Sequence, residues 1–291
     1  MNGDILTMIQ ENMAGFSKGQ RRIATYILDS YDKAAFLTAS KLGKMVNVSE
    51  STVVRFAAEL GFDGYPDMQR SLQKMIRNRL TSVQRIEVTN DRIGDQDLVS
   101  MVLQSDIEKV RMTLEELDRS SFDGAVDAIV GARKIYLIGV RSAAALTTFL
   151  HFYLNLIFDN VVLVTANTGS ELFESLLRVG EEDVVLGISF PRYSSRTVQA
   201  MSFARDRGAT TISITDSEVS PLGRVADHVV CAKSDMVSLV DSLVAPLSII
   251  NALIVAIASK REKELHRTFD VLEQIWQEHQ VYEKQENGHD F

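Results

Sequence analysis

Four short segments of this 291-residue chain place anion-holding side chains directly after apolar runs. They are GVRS at 139–142, NTGSE at 167–171, PRYSSRT at 191–197 and DSE at 216–218. Arg141, Arg192 and Arg196 carry guanidinium groups, whose forked donors match two oxygens of a phosphate, sulfate or carboxylate. Ser142, Ser189, Ser194, Ser195 and Thr197 add hydroxyls that donate and accept, and Gly139 permits close backbone approach. Glu171 is the carboxylate best placed to move a proton at carbon, with Asp216 and Glu218 beside it in the pattern. No histidine pairs with it: His151 falls in a helical stretch, His228 opens an apolar run, and His266, His279 and His289 lie in the tail. The expectation is therefore anion binding with no catalytic residue, metal or cofactor, Glu171 serving the effector site as a cap or a solvated group. The plainer reading of the three arginines is that they pair with acidic neighbours or face solvent.

A second group lies near the start of the chain. In TASKLGKMVNVSESTVVRFAAELGF, Leu42, Val46, Val48, Val53 and Phe56 have the spacing of inward positions on two short helices joined by a tight turn. Gly43 is small where the helices cross, Asn47 tolerates a left-handed turn, and Ser49 can cap the second helix. Ser51, Thr52 and Arg55 then share an outward face near that helix's N-terminus. There an arginine can fork onto guanine, and hydroxyls reach bases or phosphates. With Lys41 and Ser49 they form the candidate DNA contacts. An ordinary helical hairpin with a solvated arginine is the alternative.

The elements needed to hold these groups are legible. Residues 1–80 read helical throughout, with Ser17 capping a helix that carries Ile23, Ile27 and Tyr31. Residues 81–94 lack periodicity and read as a linker. Helical spacing then returns with Leu98, Val102, Ile107, Val110, Leu114 and Leu117, a face suited to core packing or dimerisation. Beyond Arg133, the runs KIYLIGV, VVLVTA, DVVLGISF, TTISITD and HVVCAK alternate with helical stretches. Strands apolar on both faces with helical crossovers predict a parallel five-stranded sheet covered on both sides. Ligands bind such sheets beyond the carboxyl ends of the strands, where the four anion-holding segments fall.

Composition limits the alternatives. Residues 1–80 hold 11 Lys and Arg against 8 Asp and Glu, whereas the remainder holds 20 against 31. A basic head on an acidic body suits a module that touches phosphates. The single cysteine, Cys231, excludes an internal disulfide framework and reads as a buried strand residue. The uncharged stretch 242–259 contains Pro246, Asn251 and three serines and reads as a buried core helix rather than a membrane span. Asp4 and Glu11 break any leader-like apolar start, so the expected setting is cytoplasmic with no membrane partner.

The stretch SKGQRRIATYILDSY, followed by TASKLGKMVNVSESTVVRFAAELGFDGYPDMQRSL, resembles the N-terminal helix-turn-helix domain of the RpiR family of bacterial transcriptional regulators over about residues 5–75. Its most distinctive part is VSESTVVRFAAELGFDGYPD, with the aromatic–Asp–Gly–aromatic turn after the second helix. Gly43 departs from the alanine more usual there, which should weaken the helix slightly. Residues 125–260 resemble the sugar isomerase (SIS) domain that follows in that family. The resemblance implies phosphosugar binding through a Gly-x-Gly-x-Ser-like turn, here GVRS without its second glycine, and a Ser-x-Ser-Gly-x-Thr loop. The latter reads as Ser189-Phe190, an insertion 191–193, then Ser194-Ser195-Arg196-Thr197, with Ser195 in the glycine position.

The expected organisation is a helix-turn-helix domain over 1–80, a linker and connecting helix over 81–124, and an α/β effector domain over 125–291. The expected protein is a DNA-binding regulator sensing a phosphorylated sugar or amino sugar. Its partners are a double-stranded operator and a small-molecule effector, and it assembles as a homodimer or homotetramer because operators are two-fold. A phosphosugar isomerase with an accessory helical domain is the alternative.

Overall fold

The computed structural model describes residues 5–76, 97–165, 168–234 and 240–282. The stretch read as a linker, 81–94, lies outside them. Contacts divide the chain into two units, Met1–Ser105 with Asp235–Ser242 and Asp106–Ser234 with Leu243–Phe291.

The first unit is helical: α1 Ile5–Asn12, α2 Lys18–Asp29, α3 Tyr31–Ala34, α4 Ala39–Met45, α5 Glu50–Glu59 and α6 Tyr65–Ile76. Ser17 caps α2 in a reciprocal capping box with Gln20. Ile23, Ile27, Leu42, Val53 and Phe56 are fully buried, and the Phe16 and Phe56 rings lie 5.0 Å apart. Asn47 takes the left-handed conformation (φ 55°) between α4 and α5. Gly43 has a stronger reason than helix propensity: a Cβ there would come within 2.8 Å of the Val48 carbonyl oxygen, so the glycine lets the turn fold back on α4.

α6 is tied to the loop after α3. The Tyr65 hydroxyl and the Gln69 amide donate to the Leu37 carbonyl at 2.6 and 2.8 Å, and Gln73 donates to the Ala35 carbonyl at 2.8 Å. Burial pushes the Tyr65 phenol up to about 12 from its ordinary 10. The folded state thus favours the protonated phenol, and this contribution is present below pH 10 and lost as pH rises through 12. Tyr65→Phe should therefore lower stability by about 1 kcal/mol at neutral pH. The gap to the wild type should close between pH 10 and 12, as denaturant midpoints followed by circular dichroism would show.

The second unit begins within the long helix α7, Leu98–Glu116, followed by α8, Arg119–Gly131. The strands are β1 Lys134–Gly139, β2 Val161–Val164, β3 Asp183–Ile188, β4 Thr210–Thr215 and β5 His228–Cys231. Between them run α9 Ala143–Leu154, α10 Gly169–Ser175 and α11 Ser195–Asp206, and α12 Val244–Lys260 and α13 Glu262–Glu278 follow. All strand pairs are parallel, in the order β2-β1-β3-β4-β5. Alternate residues feed opposite faces. Ile135, Leu137, Leu186 and Ile212 pack with α8, α9 and α12, while Tyr136, Ile138 and Val185 pack with α10 and α11.

α12 buries Ile249, Ile250, Leu253 and Ile257, as expected of a core helix. No single described helix is long and apolar enough to cross a membrane. Cys231 is half-buried rather than buried, because it ends its strand; burial, with Glu218 and Asp216 nearby, pushes its thiol up to about 11. α7 overturns the core-packing reading of its apolar face: Leu98, Val102, Ile107 and Leu114 are exposed, whereas Lys109 and Thr113 are buried.

Candidate functional site

The sheet's strand order reverses between β1 and β3, since the chain leaves β1 for β2 on one side and returns to β3 on the other. In open parallel sheets such a reversal is where ligands bind, beyond the carboxyl ends of the two strands. Gly139 pairs in register with Ile188, so the loops after β1 and β3 leave the sheet side by side. The structure thus brings Gly139, Arg141 and Ser142 together with the 189–197 segment, as the chain order alone could not guarantee.

Arg141 and Arg192 both adopt left-handed backbone conformations, with φ of 59° and 65°. Such angles are uncommon outside glycine and cost on the order of 1–2 kcal/mol per residue. Arg141 stands where the second glycine of the resembling turn would be, and it keeps a glycine-like backbone while adding a guanidinium. Gly139 is sterically required, since a Cβ would lie 2.8 Å from Thr147 Cγ2 and 3.0 Å from the Ala143 oxygen. Arg141 and Ser142 are exposed, and the Ser142 hydroxyl makes no capping bond.

In the β3 loop, the Ser194 amide donates to Ser189 Oγ at 3.1 Å, which pinches off residues 190–193 as an excursion. Ser194 caps α11 by accepting from the Thr197 amide at 3.2 Å. Arg192, Ser195 and Arg196 are exposed at the rim, but Ser189 and Thr197 are buried beneath it. The Thr197 hydroxyl has no hydrogen-bond partner among the described residues. Ser189 is therefore part of the loop's frame, and Thr197 sits behind the rim.

One tie between rim segments escaped the sequence reading. The Tyr193 hydroxyl donates to Asp216 Oδ1 at 2.7 Å, tying the excursion to the end of β4. Asp216 also accepts a longer bond from Thr215 at 3.4 Å. No local pattern joins residues 23 positions apart, so only the fold reveals the tie. Glu171 is engaged as the cap partner of α10: its carboxylate accepts from the Thr168 amide at 3.2 Å, and its own amide donates to Thr168 Oγ1 at 3.3 Å. Asn167, in the same segment, lies outside the described residues, as does His289. Of the other histidines, His151 sits beside Asn155 on α9, His228 packs over Gly124, and His266 and His279 lie on or just after α13.

On the helical unit, Ser49 caps α5 and its hydroxyl meets those of Ser51 and Thr52 at 2.9 and 2.8 Å. Arg55 Nε donates to the Ser51 carbonyl at 3.3 Å along the exposed face of the same helix. Thr52 is half-buried, whereas Lys41, Ser51 and Arg55 are exposed. Sequence reasoning missed Val54, exposed on this face, and Arg22, whose Nη1 reaches the Asn47 carbonyl at 3.3 Å.

An α4-turn-α5 motif followed in the chain by a parallel α/β domain is the architecture of a helix-turn-helix transcriptional regulator with a SIS domain. Residues 3–79 match the helix-turn-helix domain of the rpiR family and 128–256 match the SIS domain. The regulator HexR of Escherichia coli is 30% identical over 228 residues, covering 77% of this chain and 75% of its own. HexR of Pseudomonas aeruginosa is 24% identical, covering 89% of this chain and 90% of its own. The chain belongs to the rpiR family of transcriptional regulators.

Among solved structures, the sugar isomerase domain of an RpiR transcription factor from Sphaerobacter thermophilus is 30% identical, with a TM-score of 0.59 over 62% of this chain and 99% of that one. Vibrio vulnificus NanR, complexed with ManNAc-6P, is 21% identical, with a TM-score of 0.57 over 93% of this chain and 98% of that one. The latter likeness shows the fold alone.

Proposed function

We propose that residues 1–80 read a DNA operator, that 81–124 connect the modules, and that 125–291 sense a phosphorylated sugar or amino sugar in the cytoplasm. The observation carrying the sensor reading is the pair of arginines in left-handed conformations on the two loops flanking the β1–β3 reversal. Backbone strain persists at sites where the geometry serves a ligand, and two guanidinium groups on loops that lead into helix N-termini suit a phosphate. NanR, which shares the fold, was solved with a phosphorylated amino sugar, and that supports the ligand class. On the DNA side, Ser51 and Arg55 are the base-reading candidates, Val54 offers an apolar contact to a thymine methyl, and Lys41 and Arg22 supply phosphate contacts. Operators are two-fold, so at least a dimer is the working form.

Sensing without turnover is favoured because the Glu171 carboxylate is held in a capping box. Phosphorylated hexoses, pentoses and N-acetylated amino sugars, N-acetylmannosamine 6-phosphate included, should be titrated into the full chain. The cognate ligand at about 100 times its Kd stabilises the native state by about 2.7 kcal/mol, seen as a raised Tm. It should also change operator affinity and emerge chemically unaltered. Conversion of the sugar that disappears in Glu171→Gln would establish the isomerase instead.

A further inference from the structure

We propose that α7 pairs antiparallel with α7 of a second copy of this chain, through Leu103, Ile107, Val110 and Leu114. The helix has its polarity inverted. The side docked on its own α/β unit carries Lys109 and Thr113, 3% and 5% exposed. Lys109 Nζ lies 3.6 Å from Asp106, and the Thr113 hydroxyl accepts from the Lys233 amide at 2.9 Å. The apolar side faces outward: Leu103 is 57% exposed, Ile107 68% and Leu114 62%, with Val110 half-buried between them. At 3.6 residues per turn these four side chains fall within an arc of about 60°. A contiguous apolar stripe of this kind marks an interaction surface.

The spacing identifies the occupant. Intervals of four, three and four residues are those of a heptad seam, which packs best against another such seam. The series also reads the same in both directions. A two-fold axis between residues 108 and 109 therefore sets Leu103 opposite Leu114 of the second copy and Ile107 opposite its Val110, a self-complementary patch as a two-fold dimer requires.

Orientation follows from three considerations. Antiparallel helices oppose their macrodipoles favourably. Arg111 is already held by Glu108 and Glu115 of its own helix, at 2.7 and 3.3 Å, so it is not needed as a flanking charge to fix a parallel register. The docked side of α7 lies roughly a quarter-turn from the stripe, as the 3.6-residue repeat requires. An antiparallel pair consequently brings both α/β units to one side, adding buried area toward the ~800 Å² per partner of a stable interface. A parallel pair would send them to opposite sides and leave two helices alone.

The inference stands whether or not the chain reads DNA. Full-length protein should sediment as a dimer at tens of micromolar, and Ile107→Asp should weaken association at least a hundredfold with unchanged circular dichroism. Register is tested in a Cys231→Ser background, Cys231 being the only native cysteine. Leu103→Cys with Leu114→Cys should oxidise to a covalent dimer. Each single variant should not, because equivalent Leu103 positions would lie about 16 Å apart, beyond disulfide reach. A monomeric wild type, an Ile107→Asp dimer of undiminished strength, or cross-linking by Leu103→Cys alone would each overturn the proposal.

Discussion

Arg192→Gly should lower affinity for the phosphosugar effector at least tenfold while leaving the folded protein as stable as the wild type or slightly more so. Glycine is the informative replacement because Arg192 has a φ of 65°, where alanine would add strain unrelated to ligand binding. A hydrogen bond to a charged group contributes about 1.5–3 kcal/mol, hence roughly tenfold to 150-fold in Kd. Relief of the left-handed conformation acts in the opposite sense on stability, by about 1 kcal/mol or an increase of ~2–4 °C in Tm for a domain of this size. Arg141→Gly, at φ 59° on the neighbouring loop, should show the same opposed signs. Calorimetry and thermal unfolding on both variants decide the matter. Undiminished effector affinity in both would reduce the rim arginines to solvated turn residues.

Arg55→Ala should weaken operator binding by about 1–3 kcal/mol, roughly fivefold to 150-fold, if the guanidinium forks onto a base edge. The side chain is exposed and bonds the Ser51 carbonyl of its own helix, whereas the core beneath depends on Val53, Phe56 and Ala57, so the domain should remain folded. Titrations over a range of salt concentrations separate the two roles the arginine could play on DNA. If it reads a base edge, its removal relaxes specificity at one operator position with little change in salt slope. If it holds a phosphate, its removal weakens all sequences alike and reduces the slope by about one. Unchanged affinity in the folded variant would remove Arg55 from the reading surface and shift attention to Ser51, Val54 and Arg22.

What was legible in the sequence was local. Five apolar β-branched runs announced five strands, because a buried parallel strand needs apolar residues on both faces. Ser17, Asn47 and Ser49 announced their caps and turn, because those geometries involve residues only two to four positions apart. The loops after β1 and β3 were recognisable on the same basis as the segments that follow strands at the sheet's carboxyl edge. Glu171 was legible as a cap, since its partner Thr168 is three residues away.

Tertiary structure decided what depends on distant parts of the chain. Strand order puts the reversal between β1 and β3, and that order belongs to the whole sheet rather than to any one strand. The left-handed Arg141 and Arg192 look like ordinary arginines in sequence; around Arg192 the angle goes with closure of its loop through Ser189–Ser194 and Tyr193–Asp216. The need for Gly43 arises from the Val48 carbonyl folding back over α4. In α7, periodicity correctly marked an apolar face, but not which way it points. Docking by Lys109 and Thr113 turned that face outward, because burial depends on what a helix packs against as well as on its own pattern of residues.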